Sequence, residues 1–281
     1  MSVALRETAF AKVNLNLRVV GRRNDGYHDL ESLIAFADFG DALTLSPGET
    51  TSLEIVGPFA KECGAPADNL VLKAARALGL PAGRFTLEKH IPVAAGLGGG
   101  SADAAAALRL VARANKLDPD DRRLMEAARA CGADVPVCLQ SKSRIIRGLG
   151  DRLDPPLALP KLHAILVNPR VALSTADVFA GFRGDEPSNM PVEQVPLEPG
   201  ALLAWLAARG NCLTRAAVSR VRTIADVLDA IGALAGCRLA RMTGSGATCF
   251  GLFDDAASAA AASSRLSKSH GNWWICPVTL G

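Results

Sequence analysis

The chain has 281 residues, and 49% of them are hydrophobic, which provides enough apolar surface for a packed core and argues against a disordered protein. Lys and Arg total 31 against 28 for Asp and Glu, so the chain lacks the basic excess of a nucleic-acid-binding protein. The sequence shows no signal peptide, no membrane-spanning run and no C-x-x-C pair. We therefore expect a cytoplasmic protein, a monomer or weak homodimer, that binds neither nucleic acid nor membrane.

The N-terminal part of the chain is predicted to form strands. Residues 8–20, "TAFAKVNLNLRVV", alternate apolar side chains with Lys12, Asn14 and Asn16, which indicates a strand with one buried face and one polar face. A turn follows over 21–29. The next predicted elements are strands within 30–47 and 52–57, a helix over 69–80 that Gly79 ends, and a strand over 84–91.

A glycine-rich loop follows that last strand. It carries Gly96, Gly98, Gly99 and Gly100, and an alanine-rich helix is predicted from Ser101 onward. Glycine amides can converge on an anion, and the first turn of a helix adds unpaired N–H donors. The loop therefore favours phosphate binding over the alternative, a tight turn that lets the helix pack closely. It matches neither the G-x-x-x-x-G-K-[ST] nor the G-x-G-x-x-G phosphate motif.

Asp134 follows a helix predicted over 119–132, which Gly132 ends. Because the residue before a proline avoids the helical conformation, Pro136 predicts an extended Val135 and a constrained bend that holds the Asp134 carboxylate. From this segment alone, a catalytic carboxylate and an ordinary aspartate in a surface turn stay equally open.

The glycine- and proline-rich segment 147–162 predicts a boundary between two domains, residues 1–155 and 156–281. The second domain is predicted to contain a strand at 163–169, a helix starting at 177, a proline-rich loop over 188–200, helices at 201–209 and 218–234, a strand–turn–strand unit over 238–253, a helix at 255–268 and a closing strand at 273–280. Irregular alternation of strands and helices indicates an α+β protein with two domains.

Three segments, in this order, resemble the characteristic motifs of the GHMP small-molecule kinases: "AKVNLNL" near the N-terminus, "PVAAGLGGGSADAAA" in the middle and "TGSGATCFGLF" near the C-terminus. The resemblance covers nearly the whole chain. It implies an N-terminal domain like domain 2 of ribosomal protein S5 and a ferredoxin-like C-terminal domain. It also implies ATP as phosphate donor, with Mg²⁺.

Within that family, "GRRNDGYHDLESL", "GADVPVCL" and "RGLGDRL" are similar to members that act on a cytidine diphosphate-linked methylerythritol in isoprenoid precursor biosynthesis. The resemblance implies transfer of the ATP γ-phosphoryl group to the C2 hydroxyl of that substrate. One departure from the family is Cys212, which stands where an acidic residue is usual.

The resemblance also implies roles for individual residues. Asp134 would be the general base and Lys12 its charge partner. The third glycine motif, Gly244, Ser245 and Gly246, would close over the phosphates. Ser101 is the candidate magnesium ligand. The ATP-binding segment would be Pro92, Val93, Ala94, Ala95, Gly96, Leu97, Gly98, Gly99, Gly100, Ser101 and Ala102.

The substrate side of the site is implied in the same way. Asn14 would hydrogen-bond the substrate, Tyr27 would stack on the cytosine ring and His28 would bind its edge. Thr175 would lie near the catalytic pair and Phe179 would form a second aromatic wall, although a helix-capping Thr and a core Phe stay open. The alternatives are another GHMP kinase, acting on homoserine, mevalonate or a sugar, and a non-catalytic binding or regulatory protein of the same fold.

Overall fold

The computed structural model describes residues 3–24, 27–184 and 194–281. Its strands are, in chain order, β1 (Leu5–Asn14), β2 (Arg18–Arg22), β3 (His28–Ser46), β4 (Ser52–Val56), β5 (Arg84–Glu88), β6 (Arg144–Gly148), β7 (Arg152–Leu153), β8 (Leu162–Asn168), β9 (Leu239–Met242), β10 (Cys249–Phe253) and β11 (Trp274–Leu280). Its α-helices are α1 (Leu70–Leu78), α2 (Gly99–Ala114), α3 (Arg122–Cys131), α4 (Val135–Gln140), α5 (Thr175–Gly181), α6 (Pro199–Ala207), α7 (Thr214–Arg220), α8 (Thr223–Gly232) and α9 (Ala256–Ser269).

The fold divides into two compact units, each built from separate stretches of chain. Unit 1 comprises Met1–Lys12, Phe39–Val93 and Gly98–Ser141; unit 2 comprises Val13–Asp38, Ala94–Leu97 and Lys142–Gly281. The predicted α+β class with two domains is confirmed. The boundary predicted after residue 155 stays a prediction beside this division.

Unit 1 combines a small sheet with helices α1 to α4. The second half of β3 pairs antiparallel with β5, and β4 pairs parallel with β5 on its other side. Ten of the sixteen residues of α2 are buried, most of them alanines. A helix that is apolar on nearly every side must be enclosed by its neighbours, and α1, α3 and α4 all pack against it. The start of α2 is thereby held on a rigid support.

Unit 2 contains an antiparallel arrangement of β11, β8, β10 and β9, in that order, with the first half of β3 pairing with β2 and β6. Helices α5, α7, α8 and α9 contribute to its apolar core. The strand–turn–strand unit predicted over 238–253 is confirmed as the hairpin β9–β10. None of the helices in the described ranges combines the length and apolar character needed to cross a bilayer.

Helix α2 begins two residues earlier than predicted. Gly98 is its N-terminal cap, with a left-handed backbone at φ +64°, and Gly99 and Gly100 belong to the first turn. Glycine is a poor helix former, so helix propensity predicted that Gly98, Gly99 and Gly100 belong to the loop. Enclosure of the helix by its neighbours outweighs that local preference, and the glycine loop is shorter than expected.

The expectation that Val135 is extended is wrong. Val135 is the first residue of α4, Pro136 lies in the first turn, and Asp134 is the cap residue with a helical backbone. Proline is tolerated in a first helical turn because its missing N–H would have no intrahelical acceptor there. Asp134 therefore stands at the start of a helix and not on an extended bend.

Two other predicted elements are interrupted. The strand expected over 8–20 ends at Asn14, and β2 starts at Arg18. The helix expected over 218–234 is broken at Val221, which is extended, so α7 and α8 are separate. Neither break carries a glycine or proline, the residues that signal an end in the sequence. Parts of the turn over 21–29 and of the loop over 188–200 lie outside the described residues.

Candidate active site

Lys12 and Asp134 form an ion pair within unit 1. The Lys12 ammonium lies 3.1 Å from Oδ2 of Asp134. The lysine side chain is only 5% exposed, while the aspartate side chain is 39% exposed. Asp134 makes no capping bond to the amides of α4, so its carboxylate faces the lysine rather than its own helix. The pair thus has a shielded cation and a carboxylate that an incoming molecule can reach.

Gly98 packs directly against Lys12. A Cβ atom added at Gly98 would lie 3.0 Å from Cε and 3.2 Å from Cβ of Lys12, and the φ of +64° also disfavours any side chain. The start of α2 can therefore approach Lys12 only because this residue is glycine. Unit 1 brings the predicted ion pair and the predicted helix start together.

The first amides of α2 provide a set of open donors. The first intrahelical bond runs from the Ala102 amide to the Gly98 carbonyl at 2.9 Å, and no side chain caps the helix. The amides of Gly99, Gly100 and Ser101 precede that bond, so they are the donors that a helix start leaves without an internal acceptor. They lie at the positive end of the helix dipole, which suits a phosphate group.

The first half of the glycine loop belongs to unit 2 and packs against the third glycine motif. The Ala95 carbonyl accepts hydrogen bonds from the Thr248 hydroxyl at 2.5 Å and the Thr248 amide at 3.3 Å. A Cβ atom at Gly96 would lie 2.4 Å from the Gly246 carbonyl oxygen. Close packing, the alternative left open by the sequence, is thus one reason for these glycines.

The polar residues that follow Lys12 form a buried network in unit 2. The Asn14 amide donates to Thr243 Oγ1 at 2.8 Å, and its side chain donates to Ser32 Oγ at 2.7 Å. Ser32 Oγ donates to the Asn16 carbonyl, and Asn16 Oδ1 accepts the Leu33 amide at 2.7 Å. The face predicted to be polar is therefore enclosed. Asn16 has a structural role, which the sequence could not separate from substrate binding.

Aromatic side chains cluster elsewhere in unit 2. The His28 ring stacks on Phe179 with centroids 5.6 Å apart and meets Phe182 edge-on at 5.9 Å. Tyr27, which precedes His28 in the sequence, is 64% exposed. A cavity of about 250 Å³ is lined in part by Arg22, His28 and Phe182. Phe182 is an aromatic neighbour that sequence reasoning missed.

Thr175 is not the capping residue of α5, because the Ser174 side chain accepts the capping bond from the Asp177 amide. The Thr175 and Ser245 hydroxyls lie 2.8 Å apart, so the predicted substrate-side threonine contacts the third glycine motif.

A second charged cluster, in the interior of unit 1, was also missed. The Lys89 ammonium donates to Asp41 at 2.5 Å and to Asp103 at 2.6 Å, and all three residues are buried. Asp41 also accepts the amides of His90 and Ile91. The cluster lies under the glycine loop, because a Cβ at the first residue of α2 would be 3.1 Å from the Lys89 ammonium.

Burial shapes the ionisation of this cluster. It raises the pKa of Asp103 to about 8, with Lys89 acting in the opposite direction and Asp41 reinforcing the rise. Burial alone would lower the pKa of Lys89, but the two carboxylates outweigh it and the net direction is upward. The Lys89 ammonium is thus held charged between Asp41 and Asp103, whose carboxyl groups cannot reach water.

The sequence carried a signal for this cluster. Lys89 continues the alternation of Phe85 and Leu87, whose side chains are buried, so its position predicts an inward direction. Asp103 lies in an alanine run that leaves the helix without a polar face. A lysine and an aspartate at inward positions require partners.

No group of three or more His, Cys, Asp or Glu side chains in the described ranges is arranged to hold a metal ion.

The family model for the GHMP kinases N terminal domain matches residues 69–142, and the model for the GHMP kinases C terminal domain matches residues 193–272. The chain is 54% identical over 290 residues to a protein of Rhodopseudomonas palustris named 4-diphosphocytidyl-2-C-methyl-D-erythritol kinase, covering 98% of this chain and 96% of that protein. A protein of the same name from Nitrobacter winogradskyi is 53% identical over 293 residues, with 99% and 94% covered.

Solved structures agree with these matches. A crystal structure of 4-(cytidine 5'-diphospho)-2C-methyl-D-erythritol kinase superposes with a TM-score of 0.79 at 36% identity, covering 99% of both chains. A homoserine kinase from Cytophaga hutchinsonii superposes with a TM-score of 0.63 at 20% identity, covering 99% of this chain and 96% of the other. At that lower identity the likeness concerns the fold alone.

Proposed function

Because the chain belongs to the GHMP kinase family, we propose that it transfers the γ-phosphoryl group of ATP to the C2 hydroxyl of 4-diphosphocytidyl-2-C-methyl-D-erythritol, a step of isoprenoid precursor biosynthesis. The family and the kinase activity follow from the matched models and the curated relatives. The substrate rests on the names of relatives that are about half identical over nearly the whole chain.

The observation that carries the mechanism is the contact between Lys12 and Asp134 beside the start of α2. The Asp134 carboxylate accepts the proton of the substrate C2 hydroxyl while the hydroxyl oxygen forms a bond to the γ-phosphorus of ATP. The bond between the γ-phosphorus and the bridging oxygen breaks, and ADP leaves with its electrons. The Lys12 ammonium, shielded from water, stabilises negative charge on the attacking oxygen and keeps the carboxylate facing it.

The open amides of Gly99, Gly100 and Ser101 would hold phosphate oxygens of the nucleotide. Gly98 keeps that surface free of side chains and close to Lys12. The Ser101 hydroxyl is the side chain in this turn that would ligate Mg²⁺, and the ion would neutralise phosphate charge. The residues that would bind the phosphate and those that form the ion pair thus lie next to each other in unit 1.

We assign the cytosine ring to the aromatic cluster of unit 2. His28 is held by stacking on Phe179, and its ring nitrogens would bind the edge of the base. Tyr27 is exposed and would stack on the ring, an interaction that is worth about 1–3 kcal/mol for each base in other proteins. Asn14 and Thr175 are proposed to contact the rest of the substrate.

The test is a coupled ADP-release assay with four acceptors: the diphosphocytidyl methylerythritol, mevalonate, homoserine and galactose. We expect turnover with the first alone. Tyr27→Ala should raise KM for that acceptor by about 5- to 150-fold and leave KM for ATP unchanged. Preferred use of another acceptor would overturn the substrate assignment. The absence of ADP release with all four acceptors would support a non-catalytic protein. An unchanged acceptor KM would remove Tyr27 from the base site.

A further inference from the structure

Arg109 lies on α2, far along the helix from its glycine start, and contacts two other elements of unit 1. Its Nη1 donates to the carbonyls of Cys138 at 3.0 Å and Leu139 at 3.2 Å, in the last turn of α4. Its Nη2 donates to the Thr8 carbonyl of β1 at 3.1 Å. One guanidinium therefore joins three elements.

The glutamate next to Thr8 completes the contact. Nε of Arg109 donates to Glu7 at 3.2 Å, and Arg113, one turn further along α2, also pairs with Glu7. The Arg109 side chain is 22% exposed, against 51% for Arg113. A planar guanidinium with several fixed donors can hold such an arrangement, which a single ammonium cannot.

These bonds fall on the two elements that carry the ion pair. Helix α4 has six residues, so most of its carbonyls lack an intrahelical partner, and Arg109 donates to two of them. The Cys138 carbonyl also accepts the Ser141 hydroxyl at 2.9 Å. Asp134 occupies the cap position at the opposite end of the same helix, and Lys12 lies on the same strand as Thr8. A shift of α4 against β1 would pull the carboxylate away from the ammonium.

We propose that Arg109 is a positioning residue for phosphoryl transfer: it fastens α4 to β1 and so sets the Lys12–Asp134 contact. Thr8 and Lys12 are four residues apart, about 13 Å along a strand, so Arg109 itself does not touch the reacting atoms. The inference rests on the proposed function of that ion pair. A displacement of about 1 Å at a reacting group can lower turnover by up to about 100-fold, so a remote clamp can control the rate.

The variant Arg109→Met keeps the aliphatic stem and removes every donor. Arg113→Met is the matched control. Arg113 lies on the same helix as Arg109 and also pairs with Glu7, but its bond to Glu7 does not involve α4. We expect kcat to fall by about 10- to 100-fold in Arg109→Met, with KM for ATP and acceptor nearly unchanged. Arg113→Met should keep wild-type kcat. All assays are run well below the unfolding temperature of each variant, and folding is checked by circular dichroism.

A double-mutant cycle separates positioning from general stabilisation. If Arg109 acts through Asp134, Arg109→Met should change the residual rate of Asp134→Asn by no more than about 2-fold. If Arg109 had a purely structural role, Arg109→Met would lower kcat by the same factor in the wild type and in Asp134→Asn, and this result would overturn the proposal.

Hydrogen exchange of residues 135–140 in the intact protein gives a readout independent of activity. It should become faster in Arg109→Met and stay unchanged in Arg113→Met. Unchanged exchange in Arg109→Met overturns the clamp, and faster exchange with wild-type kcat overturns its role in transfer. Should Asp134→Asn keep full turnover, the proposed function fails, and the exchange result still decides whether Arg109 holds α4.

Discussion

Unit 1 contains two lysine–aspartate groups that use the same chemistry in different surroundings. In the first, Lys12 pairs with Asp134, whose carboxylate solvent reaches. In the second, Lys89 is enclosed with Asp41 and Asp103, and none of the three is accessible. Both groups lie next to the glycines at the start of α2.

The difference in burial assigns their tasks. Enclosing a charge costs several kcal/mol, which is recovered only through close partners, so the Lys89 cluster must keep every member to stay folded. In the Lys12–Asp134 pair only the cation is enclosed, and solvent reaches the carboxylate. The Asp134 carboxylate is therefore accessible to a substrate hydroxyl, while the buried Lys89 cluster supports the start of α2.

The largest expected effect is on the open pair. Asp134→Asn removes the proton acceptor and should lower kcat by about 10²–10⁴-fold. Because solvent reaches the aspartate side chain and asparagine keeps a polar group beside the shielded Lys12 ammonium, the loss in free energy of unfolding should be smaller than in Lys89→Met. Steady-state kinetics and calorimetry measure the two quantities.

Asp154→Asn is a matched control for that experiment. Asp154 is 37% exposed and lies 3.1 Å from Arg147, so its carboxylate matches that of Asp134 in exposure and in distance from the partner cation. Its kcat should equal that of the wild type. Near wild-type turnover in Asp134→Asn would remove this carboxylate from the mechanism.

The buried cluster should show the opposite response. Lys89→Met leaves the two buried acidic side chains, Asp41 and Asp103, without their cation and should lower the free energy of unfolding by about 3–5 kcal/mol. Arg6→Met removes an exposed ion pair with Glu88 in the same unit and should cost about 1 kcal/mol at most. Chemical denaturation measures both.

Equal losses of unfolding free energy in Lys89→Met and Arg6→Met would show that the fold does not require the Lys89 cluster. A collapse of kcat in Lys89→Met without loss of stability would mean that the buried cluster acts in the reaction, and the division of tasks by burial would be wrong.

A smaller effect is expected where the glycine loop meets the open pair. Gly98→Ala forces a side chain into a left-handed backbone, at about 1–2 kcal/mol, and places its Cβ against Lys12. We expect kcat to fall by about 10-fold because the ammonium is displaced.

Gly79→Ala separates strain from displacement. Gly79 has a similar φ of +67°, but an added Cβ would meet nothing within 4 Å. It should lose comparable stability and keep its kcat. Equal kcat values in the two alanine variants would contradict a role for close packing on Lys12.

Much of the fold followed from local patterns. Gly79 ends α1 with a left-handed cap as predicted, and the hairpin around the third glycine motif lies where its turn residues place it. The misplaced elements are those where packing prevails over propensity: α2 starts at Gly99, and α7 ends at Arg220 without any breaking residue.

The sequence by itself determined the class of the fold, the order of the three motifs and the family they resemble, because periodicity, turn chemistry and motif spacing are properties of neighbouring residues. Only the tertiary structure decided that Lys12 meets Asp134, that Lys89 is enclosed with Asp41 and Asp103, and that Arg109 reaches α4. These partners are far apart along the chain, and which of them share a contact or are shut off from water depends on how the helices and strands pack.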